Sequence, residues 1–596
     1  MDDCLNERIC MINFLMLGKE GFWPFIQAAL KAALLIGGLL GIGWVQGQGT
    51  AQSAGDAWAS GLEARLRYHV GFLAHDSLEG RQSGSAAERK AAAYLIKVFG
   101  ELGLKPAGDS GKWEQSFKIL VKQAPASGIR LQVGGISLDY GTHFGVVAGT
   151  GSGEVQGMGV DAGYGIEADS LNHHDLGDSM ALRNKVWWIK WHAPDGANPH
   201  GPYGAFATTE RKIALAEQMG AKAVVMIPAR PGEPMPDTVL DRRSRNGKIP
   251  VLTLTEAGMA KLPEGFERRE TSVQLLCRIE KEYVQASNVA AVLDRGAKRT
   301  LVFGAHYDHL GYGEYGHTRH RGPAQIHNGA DDNASGTAGL LELARYYRQH
   351  PDPRFNMLFL AFSGEELGLL GSAYFVRNPG LPLDSLVAML NMDMIGRLQD
   401  STLQLGVHGT GTAVEWPSLV QSQAEHLRLK TSEGGTGSSD HQSFYLQNVP
   451  VLHFFTGTHQ EYHKPEDDVE RVNFRGMQAV LEYITRVVAG IPDHGRLTFR
   501  KTTSADGAAS PRLKVTLGIM PDYFYEGEGV RVDGVTEGKP AFRAGVQKGD
   551  VLLRLGDFPL GDMQAYMKAL SFMAKGSKVS LELLRKGASL NLWVEF

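Results

Sequence analysis

Five residues of the kinds that hold divalent metal ions follow one another along this chain of 596 residues: His306 in AHYDH, Asp332 in GADDNASG, Glu366 in FSGEELG, Asp393 in LNMDM and His463 in EYHKPEDD. Histidine and carboxylate donors without a thiolate suit zinc, cobalt or manganese, and a shared carboxylate can hold two such ions about 3.5–4 Å apart. The chemistry this predicts is hydrolysis, because ions of this type generate a nucleophilic water near neutral pH and polarise a scissile carbonyl. A carboxylate must still move protons. Glu365 is placed for that, since it adjoins Glu366 at a strand end, where consecutive side chains point in different directions. Asp308 lies two positions after His306, so in extended geometry it faces the same side and can orient the imidazole. Singly, each residue has a blander reading: an aspartate before a helix is usually a cap, and adjacent glutamates are usually a solvated face. Their joint order is what carries the metal reading.

The elements that must position these residues are legible in the same stretch. The runs TLVFGA, FNMLFLAF, LVAMLN and VPVLHFF read as strands, and a ligand lies just beyond each. Open α/β sheets place their chemistry at such strand ends. In GADDNASG, Gly329 and Ala330 permit a tight approach, and Ser335 is expected to cap a helix burying Leu340, Leu341, Ala344 and Tyr347. From residue 284 to 495 strand-like and helical runs alternate, the pattern of a mostly parallel sheet covered on both faces. Residues 56–124 read as the first layer of the same α/β domain, with a helix stopping at Gly103. Between 125 and 283 the text shifts to short, glycine-rich β runs such as KVWWIKW and AKAVVMIPA, predicting a separate, smaller insert. The polar run RKTTSADGAASPR predicts a linker over 496–512. The segment 513–596 resembles a PDZ domain. Its loop Leu517, Gly518, Ile519 offers backbone amides to a peptide carboxylate, so a peptide C-terminus or protein partner is one expectation and plain packing on the body the other.

With these motifs in place, residues 65 to 495 resemble the zinc-dependent aminopeptidase family that includes the bacterial leucyl aminopeptidases, aminopeptidase Y and, more distantly, glutamate carboxypeptidase. The resemblance implies the di-zinc exopeptidase fold, with a mixed, mostly parallel sheet flanked by helices. It also implies two zinc ions bridged by Asp332, with Glu366 and His463 completing one site and His306 and Asp393 the other. Glu365 would then be the general base. The insert resembles the protease-associated domain of several members, and SDHQSF at Ser439 to Phe444 matches another family segment. Some members place a tyrosine shortly before that SDH; here the text is GGTGSSDH, so no tyrosine role carries over.

Other histidines invite attention. Those of HLGYGEYGHTRHRGPAQIHN, which begins at His309, fit no single helix face or strand and are expected to form a mobile rim rather than a third metal site. His453 reads as a satisfied core residue, His459 as a pocket-lining one, and His441 as a neighbour of the ligands or a packing residue. Bulk properties exclude other classes. A formal net charge of -4 gives no electrostatic reason to expect nucleic acid. Cys4 and Cys10 lie in the leader, which leaves Cys277 as the single cysteine beyond it, expected in the core.

Lys31 followed by AALLIGGLLGIGWV predicts a leader over 1–54, cleaved after Ala51 or Ser53, and hence a periplasmic or secreted protein. A membrane anchor is expected only if that leader stays uncleaved. The expected function is an exported metallo-exopeptidase removing N-terminal residues from peptides. Carboxypeptidase or glutaminyl cyclase action on the same scaffold, and a non-catalytic receptor relative, are the rivals.

Overall fold

Runs such as TLVFGA and LVAMLN carry apolar residues at consecutive positions, as a strand must when both of its faces are covered. In the computed structural model the chain divides into Met1–Trp58 and Ala59–Phe596, and the second unit is the one described. Structure is described from residue 58 onward, except at 178, 197, 199–200, 234, 237, 239, 241–246, 315–317, 503–514, 523–524, 526, 537 and 562. The expected leader, and residues 503–512 of the expected linker, therefore lie outside the described residues. Among the described residues no helix is long and apolar enough to cross a membrane.

The largest sheet has nine strands among the described residues. Its order is Lys105–Pro106, Ile279–Leu293, Asn356–Phe362, Thr300–His306, Leu386–Met392, Val451–Phe455, Gln404–His408 and Arg428–Ser432, with Glu114–Pro125 paired to Ile279–Leu293. The four central strands, from Asn356–Phe362 to Val451–Phe455, run parallel to one another. Antiparallel strands flank them on either side. Because side chains alternate along a strand, two cores form. Val302, Leu358, Leu360 and Met389 join Phe375 and Phe444 in one cluster. On the other face Phe303 stacks on Phe359 and Tyr347, and Phe359 meets Phe99. The first face is covered by the helices Leu370–Arg377 and His441–Tyr445. The second is covered by Ala86–Glu101 and Gly336–Gln349, against which Leu62–Leu73 and Phe474–Ala489 pack.

One expectation about this frame fails. Ser335 does not cap the helix Gly336–Gln349: its backbone is already helical, at φ -64 and ψ -51, whereas a capping side chain needs an extended backbone to reach forward. Asn333 does the work instead, its Oδ1 accepting from the Gly336 N–H at 2.9 Å. The Ser335 hydroxyl turns inward, donating to the Asp331 carbonyl at 2.7 Å and accepting from the Ile395 N–H at 3.0 Å.

Between the two halves of this sheet the chain makes another. Among the described residues eight strands lie in the order Ile136–Leu138, Arg130–Val133, Thr271–Cys277, Gly153–Asp161, Val186–Lys190, Ala223–Ile227, Val251–Leu254 and Phe144–Val146. Val186, Trp188, Val225 and Leu252 fill one face together with Cys277, which is fully buried. Trp187, Ile189, Val224 and Met226 fill the other. The chain enters and leaves through Glu114–Pro125 and Ile279–Leu293, which run antiparallel from Pro125 opposite Ile279 to Glu114 opposite Val289. Adjacent entry and exit strands allow a whole sheet to be inserted without disturbing the host.

The C-terminal segment has its own core around Leu517, Val532, Leu552, Leu581 and Val594. Its six strands among the described residues are ordered Ile519–Pro521, Val530–Val535, Val551–Leu555, Lys578–Arg585 and Ala588–Glu595, with Phe558–Pro559 paired to Val551–Leu555. Ile519–Pro521 is therefore an edge strand.

Candidate metal centre

Parallel central strands all end on one side of the sheet, and that is where the ionisable residues gather. His306 is the last residue of its strand, Asp393 follows Leu386–Met392 directly, and Glu365 lies three residues past Phe362. The Nε2 atom of His306 is 3.2 Å from Asp393 Oδ1 and 3.4 Å from Asp332 Oδ1. The other oxygen of Asp332, Oδ2, is 3.1 Å from His463 Nε2, which in turn lies 3.4 Å from Glu366 Oε2. Asp332 thus joins two groups of donors, one through each oxygen. The structure brings all five residues singled out as ligands into this arrangement.

It adds a sixth. His309 Nδ1 is 2.7 Å from Glu366 Oε1 and 3.9 Å from Asp332 Oδ2. His306, Asp332 and Asp393 form one set close enough to hold an ion, and His309, Asp332 and Glu366 form another. His309 therefore does not belong to an outer rim. Its backbone N–H donates to the Arg81 carbonyl at 3.2 Å, which folds the turn after the strand back beneath the site. The other described histidines of that stretch bond elsewhere: His320 to the Pro323 carbonyl, and the buried His327 to Thr318 and Gln325.

Asp308 is held differently from the expectation. The hydrogen bond of His306 Nδ1 goes to the Asp308 carbonyl oxygen at 3.2 Å, while the carboxylate Oδ1 stands 3.7 Å away. That carboxylate instead accepts from the Ser83 hydroxyl at 2.6 Å and the Glu365 N–H at 3.2 Å. It fixes the backbone of the residue expected to carry the proton. Glu365 itself brings Oε2 to 3.9 Å from His306 Nε2. Burial pushes its carboxyl pKa well up; His306 opposes this, and the nearby Asp393, Glu366 and Asp440 add to it. Burial also works against a charged His306, yet Glu365 and Asp393 raise its pKa well above the ordinary value.

Two positioning groups escaped the sequence reading. Asp467 Oδ2 accepts from the N–H groups of Asp331 and Asp332 at 3.0 and 3.1 Å, and the Asp467 carbonyl accepts from Ala330 at 2.9 Å. This clamps the bridging loop. The visible signal was the EDD that follows His463. Arg81 is completely buried and donates to the carbonyls of Tyr307, Leu73, Asn328 and Gly329. Burial lowers its pKa to about 10, which leaves it charged at neutral pH. Its signal was an arginine set in the short run LEGRQSG.

The centre opens into a cleft of about 750 Å³ lined by residues that include Tyr462, His441 and His453. Tyr462 stacks on His463 with ring centres 3.8 Å apart, and burial keeps its hydroxyl protonated. A tyrosine absent from GGTGSSDH is thus present here from a different part of the chain. His453 is buried and bonds Asn391 at 3.2 Å, as a core residue would, but it also lines the cleft. His441 stacks on it at 4.5 Å. His459 turns away, reaching Asp331 at 3.3 Å and Glu461 at 3.2 Å.

The donor set fits metal cations. Asp332, Glu365, Glu366 and Asp393 crowd around three imidazoles with no sulfur, and so much buried negative charge is stable only beside positive charge. Fold and site together define an α/β architecture with two sets of candidate metal donors at its strand ends. Residues 288–488 match the model of peptidase family M28, and residues 499–596 match that of the PDZ domain. The chain thus carries an M28 peptidase segment followed by a PDZ domain.

It is similar to Aminopeptidase YwaD of Bacillus subtilis (strain 168), 32% identical over 184 residues that make up 29% of this chain and 39% of the relative. A probable leucine aminopeptidase of Trichophyton verrucosum (strain HKI 0517) is 29% identical over 216 residues, 34% of this chain and 54% of the relative. The chain therefore spans about half or less of these curated relatives. Among solved structures, the aminopeptidase from Aneurinibacillus sp. strain AM-1 aligns with a TM-score of 0.41 at 20% identity, covering 74% of this chain and 95% of that one.

Proposed function

We propose that this chain is an exported metallo-aminopeptidase that holds two zinc ions and removes the first residue of peptides. The observation that carries the reading is the division of Asp332, with one oxygen beside His306 and Asp393 and the other beside His463 and Glu366. His309 stands ready as a further donor to the second group. Bound there, zinc would supply Lewis-acid polarisation of the scissile carbonyl and an acidified water. The chain's own residues do the rest. Glu365, whose carboxyl pKa is raised by burial and its acidic neighbours, takes the proton of the attacking water and returns it to the leaving amine. Asp308 holds the Glu365 backbone still, and Asp467 holds the loop that carries Asp332. Tyr462, kept neutral, offers a hydroxyl in the cleft.

Two groups of donors disfavour a cyclase that needs a single ion, and the presence of Glu365 disfavours a decayed receptor. The names of the similar aminopeptidases support removal from the amino end over the carboxyl end. In the same reading the eight-stranded insert serves as a protease-associated domain over 125–283, and residues 1–54 direct export. The deciding experiment is a panel of free and N-acetylated peptides given to purified protein before and after chelation, with metal analysis. Cleavage confined to free amino termini, abolished by chelator and restored by zinc or cobalt, is the expected result. Equal cleavage of acetylated peptides would overturn the aminopeptidase reading.

A further inference from the structure

The cleft does not end on the peptidase segment. Ile519 and Pro521, from the edge strand of the C-terminal sheet, line it together with Arg319. Among the described residues that strand pairs with Val530–Val535 alone. Gly518 and Asp522 direct their backbone toward this neighbour: the Thr536 N–H donates to the Gly518 carbonyl at 2.8 Å, and the Asp522 N–H donates to the Arg531 carbonyl at 2.7 Å. By strand alternation the N–H and C=O of Ile519 and the C=O of Pro521 face the unpaired edge. Pro521 has no N–H, so an added strand finds one donor and two acceptors before pairing stops. The edge suits a short occupant.

Arg319 ties this edge to the metal centre. Its backbone N–H donates to the carbonyl of His463 at 2.9 Å, and its Nε and Nη2 each reach Thr536 Oγ1 at 3.2 Å. The remaining nitrogen, Nη1, is buried and has no hydrogen-bond partner among the described residues. A guanidinium nitrogen in that state carries a desolvation penalty that an arriving carboxylate would relieve. Further positive charge gathers nearby. Lys539 packs against Gly518, where an added Cβ would lie 2.2 Å from its own, and Arg321 is close enough to act on the Lys539 ammonium. Within the cleft lining Arg319 faces a group of carboxylates made by Asp332, Glu365, Glu366 and Asp393.

We propose that Arg319 and the free edge of Ile519–Pro521 hold the downstream part of a short peptide substrate, with its free carboxylate on Arg319 Nη1. The C-terminal domain then forms a wall of the substrate cleft of its own chain. This rests on the aminopeptidase reading, and the experiment separates the two. Chelator-sensitive hydrolysis of leucine para-nitroanilide by the full chain tests the reading itself. The inference is tested by comparing a leucyl tripeptide acid with its C-terminal amide. The acid is expected to have a kcat/KM about tenfold higher, the scale of one charge-assisted hydrogen bond, and the difference should lie in KM.

Arg319→Gln should reduce that ratio to below about twofold, and Arg319→Lys should restore part of it. An N-acetylated peptide with a free carboxylate should inhibit competitively. Wild-type protein that cleaves acid and amide alike would overturn the proposal, as would an Arg319→Gln loss equal for both. Tight binding of the acetylated peptide without inhibition would also overturn it, by placing a partner's tail outside the cleft.

Discussion

Two sheets in this chain have parallel strands at their centre, and their strand ends are finished in opposite ways. In the insert, Val186–Lys190 runs on into Trp191, whose indole Nε1 donates at 2.9 Å to Thr253 Oγ1 on Val251–Leu254, two strands away. The buried Lys212 ammonium closes the same end, donating to the carbonyls of Lys190 and His192. In the peptidase sheet the ends carry imidazoles and carboxylates, and several of their atoms have no hydrogen-bond partner. Among the described residues, both oxygens of Asp440, both ring nitrogens of His441 and His309 Nε2 are of this kind. A sheet of this type supplies position, and the side chains at its ends decide whether the position is packed shut or kept for a ligand. An unpartnered buried donor also occurs in the insert, at Trp188 Nε1, so what distinguishes the second case is the convergence of ionisable groups into two sets close enough to hold an ion.

The comparison can be broken most directly at Asp332. Asp332→Ala removes the oxygen shared by both donor groups, so bound zinc should fall toward zero and turnover by at least about a thousandfold. Metal analysis of the purified variant checks this, and full retention of one ion would show that the groups are independent. Glu365→Gln should act more narrowly. It keeps the fold and the metal while slowing kcat at least about a hundredfold, the scale of a lost general base. A near-normal kcat would remove Glu365 from that role.

The insert should respond in the reverse sense. Trp188 is fully buried there, so Trp188→Ala should cost about 3–5 kcal/mol of local stability, visible in thermal unfolding. At a temperature where the variant is folded, kcat should stay within about twofold of wild type. A parallel collapse of kcat would show that the insert supports the metal centre.

The smallest effect concerns charge beneath the peptidase strand ends. Burial, with Asp308 adding to it, raises the carboxyl pKa of Glu88 to about 8, while hydrogen bonds from Ser363 and Gly84 oppose the shift. A folded-state pKa above the unfolded value gives stability that is complete below the unfolded pKa of about 4.5 and is lost as pH rises toward about 8. Glu88→Gln cannot titrate and should flatten that part of the stability profile. Denaturant melts across this range measure the difference, and parallel profiles would show that Glu88 is ionised throughout.

The order of the donors and the elements beneath them are written locally in the chain. His306, Asp332, Glu366, Asp393 and His463 could be picked out because each stands next to an apolar run or a helix start, and those patterns are local. Gly103, at φ 74 just past the helix Ala86–Glu101, was legible for the same reason. Tertiary structure decided the rest. His309 reads as loop until the turn after its strand folds under Arg81, and the Asn333 cap depends on the backbone of Ser335 being helical already. Tyr462 reaches the cleft from a segment with no tyrosine motif. Arg319 meets Thr536 across 217 positions of sequence. Periodicity and capping act over a few residues and leave marks in the text, whereas contacts made by closing long loops depend on the whole packed chain and leave none.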